Sequence, residues 1–161
     1  IFMILITGKL IGKFGLKANL VIGLIALGSS MLLFANNTPV DGNFIANVLP
    51  ASLLGALGMS LAYIPATMSA MSGAKPEEAG LASGLANTSY QIGSAISLAI
   101  MVAIAGSTTA SQTGVDPVSV LNEGFQQAFM WSGIVAFAGA LLAFLFIRSP
   151  KQGEASDKVA M

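Results

Sequence analysis

The stretch "AGLASGLANTSYQIGSAISLAI" occupies residues 79–100 and decides how the rest of the chain is read. It carries no charge across 22 positions, which suits a membrane span of about 20 largely apolar residues. Yet it holds Ser83, Asn87, Thr88, Tyr90, Gln91, Ser94 and Ser97, groups that hydrocarbon solvates poorly. Helical spacing resolves the conflict. At about 100° per residue, Gly80, Gly84, Asn87, Gln91 and Ser94 follow steps of 4, 3, 4 and 3 and share one face, with Ser83, Tyr90 and Ser97 on its flank. Leu81, Leu85, Ile92 and Ile96 take the opposite side. The segment is therefore a two-sided membrane helix, with a small hydrogen-bonding stripe toward protein or water and an aliphatic stripe toward lipid or an apolar neighbour.

The surrounding chain agrees. Of 161 residues, 55% are hydrophobic and 9% charged, and the mean hydropathy is +0.81; soluble domains run near a quarter charged. Uncharged runs cover 18–40, 42–74, 79–115 and 124–147. A soluble helical bundle would need charged solvent faces every few residues, and these runs have none. The expected fold is an all-α integral membrane protein, with four transmembrane helices over about 18–35, 44–71, 77–105 and 125–147. Residues 1–7 are apolar, with neither a basic segment before them nor a small-residue cleavage site after. They are expected to be the end of a fifth helix, in a fragment of a longer membrane protein.

Turn chemistry separates the spans. "GKLIGKFGLK" at 8–17 is expected to be a short basic loop, and "NNTPVDGN" at 36–43 is turn-rich. The second span contains Pro50 and Pro65, and Gly73 suits its C-cap. Pro76 fits the first helical position of the third span, with Glu77 and Glu78 where the helix dipole favours anions. The Ser/Thr/Gly-rich stretch 106–123 reads as a loop, and 148–161 as a polar tail. All seven basic residues fall in three places: Lys9, Lys13 and Lys17; Lys75; and Arg148, Lys151 and Lys158. Four spans put these three segments on one side, which the positive-inside rule makes cytoplasmic, C-terminus included.

The spans differ in composition. Large apolar residues make up 10 of 18 positions in the first and 13 of 23 in the fourth, but 12 of 28 in the second and 9 of 26 over 79–104. The second and third, richer in Gly, Ala, Ser and Thr, are expected to be central, and the first and fourth peripheral.

Two roles fit the polar stripe. Gly80, Ser83 and Gly84 suit close helix packing, with Asn87 and Gln91 locking a neighbour by hydrogen bonds. Alternatively Asn87, Tyr90, Gln91 and Ser94, joined by Tyr63 and Thr67 of the second span, line a solute cavity. Pro65 removes a backbone donor there, as membrane prolines near transporter sites do, although such prolines are also tolerated as ordinary residues. Met59, Met68 and Met71 can repack around apolar ligands or simply fill core.

Absences narrow the function further. The net charge is zero, so no nucleic-acid footprint exists. There is no His and no Cys, no carboxylate pair within a span, and hence no basis for a metal, a cofactor or an enzymatic reaction. Beyond Glu77 and Glu78 in the first turn of the third, no Asp, Glu, Lys or Arg lies inside the four expected spans, so a proton-carrying carboxylate, if one serves this protein, lies outside them.

"KPEEAGLASGLANTSYQIGSAISLAI" resembles the penultimate-helix signature of major facilitator superfamily transporters, especially their drug:proton antiporter branches. The matching positions are Pro76, Ala79, Gly80, Ala82, Ser83, Gly84, Asn87, Thr88, Gln91 and Gly93. "GKLIGKFGLK" is similar to the weaker copy of the family's cytoplasmic loop through Gly8, Gly15 and the lysines Lys9, Lys13 and Lys17; Gly12 stands where the stronger copy has its acid. Many relatives carry Arg where this chain has Tyr90, so a charge-based role at that position is lost.

The resemblance implies the last four helices, plus one helix end, of a major-facilitator-type C-terminal bundle in the cell membrane. It implies alternating access and proton-driven efflux of drug-like or lipophilic solutes. The partners would be the bilayer, a small-molecule solute and the remaining helices, with the segments at 8–17 and 73–79 at the cytoplasmic gate. The competing expectation is a non-transporting four-span scaffold or assembly subunit that uses the stripe for association alone. A self-sufficient four-helix multidrug transporter is disfavoured because no expected span holds a carboxylate beyond its first turn.

Overall fold

The computed structural model describes residues 2–110 and 116–147, with backbone alone for 2–9 and 11–13. It contains four long α-helices in chain order: α1 (Phe2–Asn37), α2 (Leu49–Met71), α3 (Ala79–Ala110) and α4 (Pro117–Phe146). A π-helical turn at Phe44–Val48 leads into α2, and a 3-10 turn at Pro76–Glu78 leads into α3. Four stretches are long and apolar enough to cross a membrane: Phe14–Asn37, Phe44–Met71, Pro76–Ala110 and Pro117–Phe146.

The boundaries depart from the sequence expectation in three places. First, residues 8–14 are helical rather than a loop, and the break is confined to Gly15, at φ 80° and ψ 166°. Three glycines weaken a helix by only about 1 kcal/mol each, so the other two are absorbed; Gly15 takes a conformation almost closed to residues with a Cβ. Asn19, 2% exposed, donates from Nδ2 to the Gly15 carbonyl at 2.7 Å and so covers an acceptor that the break releases. Second, α3 continues through 106–110, where Thr108 and Thr109 donate their hydroxyls to carbonyls one turn back. Third, α4 begins at Pro117 rather than 125. Asp116 caps it by accepting from the Ser119 amide at 3.1 Å, and Pro117 sits in the first turn. That Asp-Pro pair is a helix-start signal present in the sequence. Consequently Glu123 lies inside α4, correcting the expectation that no acidic residue falls within a span beyond the first turn of the third.

Pro50 also moves: it occupies the first turn of α2, where its missing N–H costs nothing, while Pro65 is inside the helix and fully buried. The segment 111–115, within the expected loop, and the tail 148–161 with Arg148, Lys151 and Lys158 lie outside the described residues.

The helices pack in the order α2, α1, α4, α3, with α1 held between α2 and α4 and α3 resting mainly on α4. Small residues allow this. A Cβ on Gly58 would stand 2.6 Å from the Leu27 amide nitrogen and 2.8 Å from the Gly23 carbonyl oxygen, so α1 and α2 meet backbone to backbone. Beside that contact, fully buried Ser30 donates to the Ala51 carbonyl at 2.7 Å. A Cβ on Gly124 would stand 2.7 Å from the Ala105 carbonyl oxygen, which sets the α3–α4 crossing. Phe34 and Phe129 stack at 5.1 Å between α1 and α4. The Lys17 ammonium lies over the Phe144 ring at 4.9 Å.

Within this chain the first span is therefore the central one. The third leaves nearly all of its surface uncovered, Leu81, Ile92 and Ile96 included. The expected division into central and peripheral spans is not the order in which these four helices pack.

Candidate functional site

The seam between α2 and α3 is the weak side of the bundle. The two helices are joined through 72–78 but touch each other little. Near that connection they leave a half-open groove of about 610 Å³. From α2 it is lined by Tyr63, Ala66, Thr67, Ala70 and Met71, and from α3 by Ala82, Ser83, Leu85, Ala86, Asn87, Ser89 and Tyr90.

Local structure explains the lining. Ala66 and Ala70 are one turn apart on α2, as are Ala82 and Ala86 on α3, so four small side chains hold the space open. Above them Tyr63 and Tyr90 meet edge to face, with ring centroids 6.1 Å apart and planes at 80°. Thr67 donates its hydroxyl to the Tyr63 carbonyl at 2.9 Å, which satisfies its donor and leaves its oxygen an acceptor toward the groove. Asn87 is exposed and its amide makes no hydrogen bond among the described residues, so both of its polar atoms are available to a ligand. Among the described residues no charged side chain lines the groove. Its chemistry is apolar walls, two aromatic rings and a few neutral polar groups, as suits an uncharged or weakly polar organic solute.

Of the six expected cavity residues, the structure brings together Tyr63, Thr67, Asn87 and Tyr90. Gln91 and Ser94 are exposed on α3 but do not line the groove. Ser83, expected to serve packing, lines it instead. Gly80 and Gly84 meet nothing among the described residues: a Cβ on either would have none of their atoms within 4 Å. The groove is centred on the Ala82–Ala86 side, about 200° round the helix from Gly80. Ser89 and the alanines went unrecognised in the sequence, although Ala66-x-x-x-Ala70 and Ala82-x-x-x-Ala86 are spacings of the same kind as Gly80-x-x-x-Gly84. In the basic segment, Gly8, Lys9 and Lys13 lie on helical backbone, Gly15 forms the break, and Lys17 reaches back to Phe144.

Comparison with known proteins places this geometry. The family model described as Major Facilitator Superfamily matches residues 1–160. Puromycin resistance protein pur8 of Streptomyces alboniger is 27% identical over 161 residues, covering 96% of this chain and 32% of the relative. Lincomycin resistance protein LmrB of Listeria monocytogenes is 30% identical over 152 residues, covering 90% and 32%. Cephamycin export protein CmcT of Amycolatopsis lactamdurans is 36% identical over 69 residues, covering 43% and 14%. The chain thus spans about a third of the length of the relatives it matches along most of its own. No solved structure matches. Four membrane-length helices and a match that runs nearly end to end make this a multi-pass membrane protein, and the chain belongs to the Major Facilitator Superfamily.

Proposed function

We propose that the chain is the C-terminal part of a secondary active exporter that carries drug-like or lipophilic solutes across the cell membrane by alternating access. The observation that carries this proposal is the uncharged groove between α2 and α3, with Tyr63, Tyr90, Thr67 and Asn87 together on its wall. The relatives' names, which speak of resistance to or export of antibiotics, agree with it. Protons are the proposed driving force, by likeness to the drug:proton antiporter branch. Transport rather than enzymatic chemistry is the assigned activity.

The remaining helices of the full-length protein would complete the site. Gly80, Gly84, Gln91 and Ser94 are open to such a partner, because nothing among the described residues covers them. The glycines suit close approach by another helix, and the Gln91 amide a hydrogen bond across it. The lysine-bearing segment 8–17, the connection 73–78 and the tail 148–161 are assigned to the cytoplasm, since basic residues concentrate there and are missing from the opposite connections.

Single cysteines at 87 and 91 in a cysteine-free full-length protein test the assignment. The Asn87→Cys thiol should react with a membrane-permeant or impermeant reagent and be shielded when a transported solute is added. Absence of labelling from either side, with no solute transport, would leave a packing scaffold as the role of this surface.

A further inference from the structure

Asn87 stands in the α2–α3 groove with its carboxamide uncommitted. Elsewhere in the bundle such groups are spent on backbone. Asn19 and Asn36 each turn an N–H onto the carbonyl one turn back in α1, at 2.7 and 2.8 Å, and Asn122 turns one onto the Thr38 carbonyl at 3.0 Å. Thr88, next to Asn87, donates its hydroxyl to the Gly84 carbonyl at 2.9 Å. Among the described residues no hydrogen bond involves the Asn87 side chain, so both N–H groups and the carbonyl oxygen remain to be matched. Asn87 lies about 12 Å along α3 from Ala79, well inside a stretch long and apolar enough to cross a membrane. An amide left unmatched there is costly, so a partner is called for.

The surroundings say what kind. Ser83, Asn87 and Tyr90 follow steps of 4 and 3 along α3 and share one face, and Ala82 and Ala86 form the face beside it. A solute whose ring lies on the alanines, against the edge-to-face pair of Tyr63 and Tyr90, therefore has its substituent alongside Asn87. Among the described lining residues there is no Lys or Arg to pair a carboxylate and no Asp or Glu to pair an ammonium. The substituent that fits is neutral and carries a donor and an acceptor side by side. A carboxamide does so: its N–H meets the Asn87 oxygen while its own oxygen receives an Asn87 N–H. An ester offers acceptors alone and would leave the Asn87 oxygen unmatched.

We propose that Asn87 is the specificity-determining residue of this groove, and that the solutes it selects are uncharged planar aromatic molecules bearing a carboxamide. This deepens the exporter reading above and rests on it for the role of the selection in transport; the binding preference itself does not depend on it.

The test uses the purified full-length protein in nanodiscs and two probes, 2-naphthamide and methyl 2-naphthoate, which share the ring and the carbonyl but differ in the N–H donors. Binding is read by calorimetry against empty nanodiscs. The unsubstituted protein should prefer the amide. Asn87→Leu, close in volume and without polar atoms, should weaken the amide by about tenfold and spare the ester. Ala86→Phe, which fills the apolar floor, should weaken both. The proposal is overturned if the unsubstituted protein shows no preference for the amide, or if Asn87→Leu weakens both probes equally or neither. A purely structural Asn87, bonded to one of the remaining helices, would give the equal loss together with a lower melting temperature. Should Asn87→Leu fail to fold, Asn87→Ala, a good helix former, decides by the same comparison. Uptake into proteoliposomes separates this proposal from the exporter reading. Amide preference lost in Asn87→Leu, with neither probe transported, removes the exporter and keeps the selection; transport of both probes alike, unmoved by Asn87→Leu, does the reverse.

Discussion

The ring of Tyr63 on α2 meets the ring of Tyr90 on α3 edge to face, with centroids 6.1 Å apart and planes at 80°. It bridges two helices that otherwise touch little. Both rings are about half exposed, so the pair is also the most accessible aromatic surface of the groove. An aromatic pair of this geometry contributes about 0.5–1.5 kcal/mol beyond its area. Replacing either tyrosine by Ala should weaken binding of an aromatic solute, and Phe at either position should restore most of it. A double-mutant cycle on solute affinity should show coupling of the same order; strictly additive losses would separate the two rings functionally.

Gly58 marks the closest approach of α1 and α2. Gly58→Ala forces a methyl against the Leu27 backbone, where no flexible side chain can give way. The expected cost is about 1–3 kcal/mol, read as a lower melting temperature of the full-length protein in detergent. Gly106→Ala is the control. Its Cβ would meet nothing within 4 Å and it sits in regular helix, so the same melt should hold or rise.

Gly15 sits in open space, so Gly15→Ala meets no clash; its penalty is backbone strain alone. At φ 80° and ψ 166° that penalty is about 1–3 kcal/mol. The substituted chain should relieve it by straightening into continuous helix. A pair of spin labels, one on each side of residue 15, should report an increased separation; an unchanged distance distribution would show that packing holds the break.

Asn122 and Gln126 both donate to the Thr38 carbonyl, at 3.0 and 3.1 Å, and so tie the α1–α2 connection to α4. One carbonyl accepts both because it has two lone pairs. Removing either amide by substitution with Ala should therefore cost little, since the carbonyl keeps a partner. Removing both should cost about 1–3 kcal/mol locally. Amide hydrogen exchange over residues 38–43 should accelerate in the double variant far more than the two single variants together.

Much of the fold was legible before any coordinates. Uncharged runs located every span, because hydrocarbon penalises charge wherever the helices end up packing. The expected bounds 44–71 for the second span coincide with the turn and helix from Phe44 to Met71. Boundaries failed where a local signal was outweighed or overlooked. Glycines at 8–15 suggested a loop but cost too little to break a helix more than once. Ser and Thr at 106–110 suggested another, although their hydroxyls bond back to the turn below. The site was half legible. Tyr63, Thr67, Asn87 and Tyr90 do come together, while Gln91 and Ser94 lie farther along α3, beyond the lining residues at 82–90.

The sequence alone therefore determined that the chain is a multi-pass membrane protein, roughly where its long apolar helices lie, and that one of them is polar on one side. Composition and periodicity report on solvent, and solvent acts on each helix by itself. Only the tertiary structure decided which neighbour each face meets. It placed α1 between α2 and α4, turned the Ala82–Ala86 side of α3 toward α2, left Gly80 and Gly84 open, and brought Glu123 beside Asn36 and Thr108. Those outcomes depend on close backbone approach at Gly58 and Gly124, which set how each pair of helices crosses and hence which residues face each other across it. A stripe on one helix cannot carry that information, because it belongs to the pair.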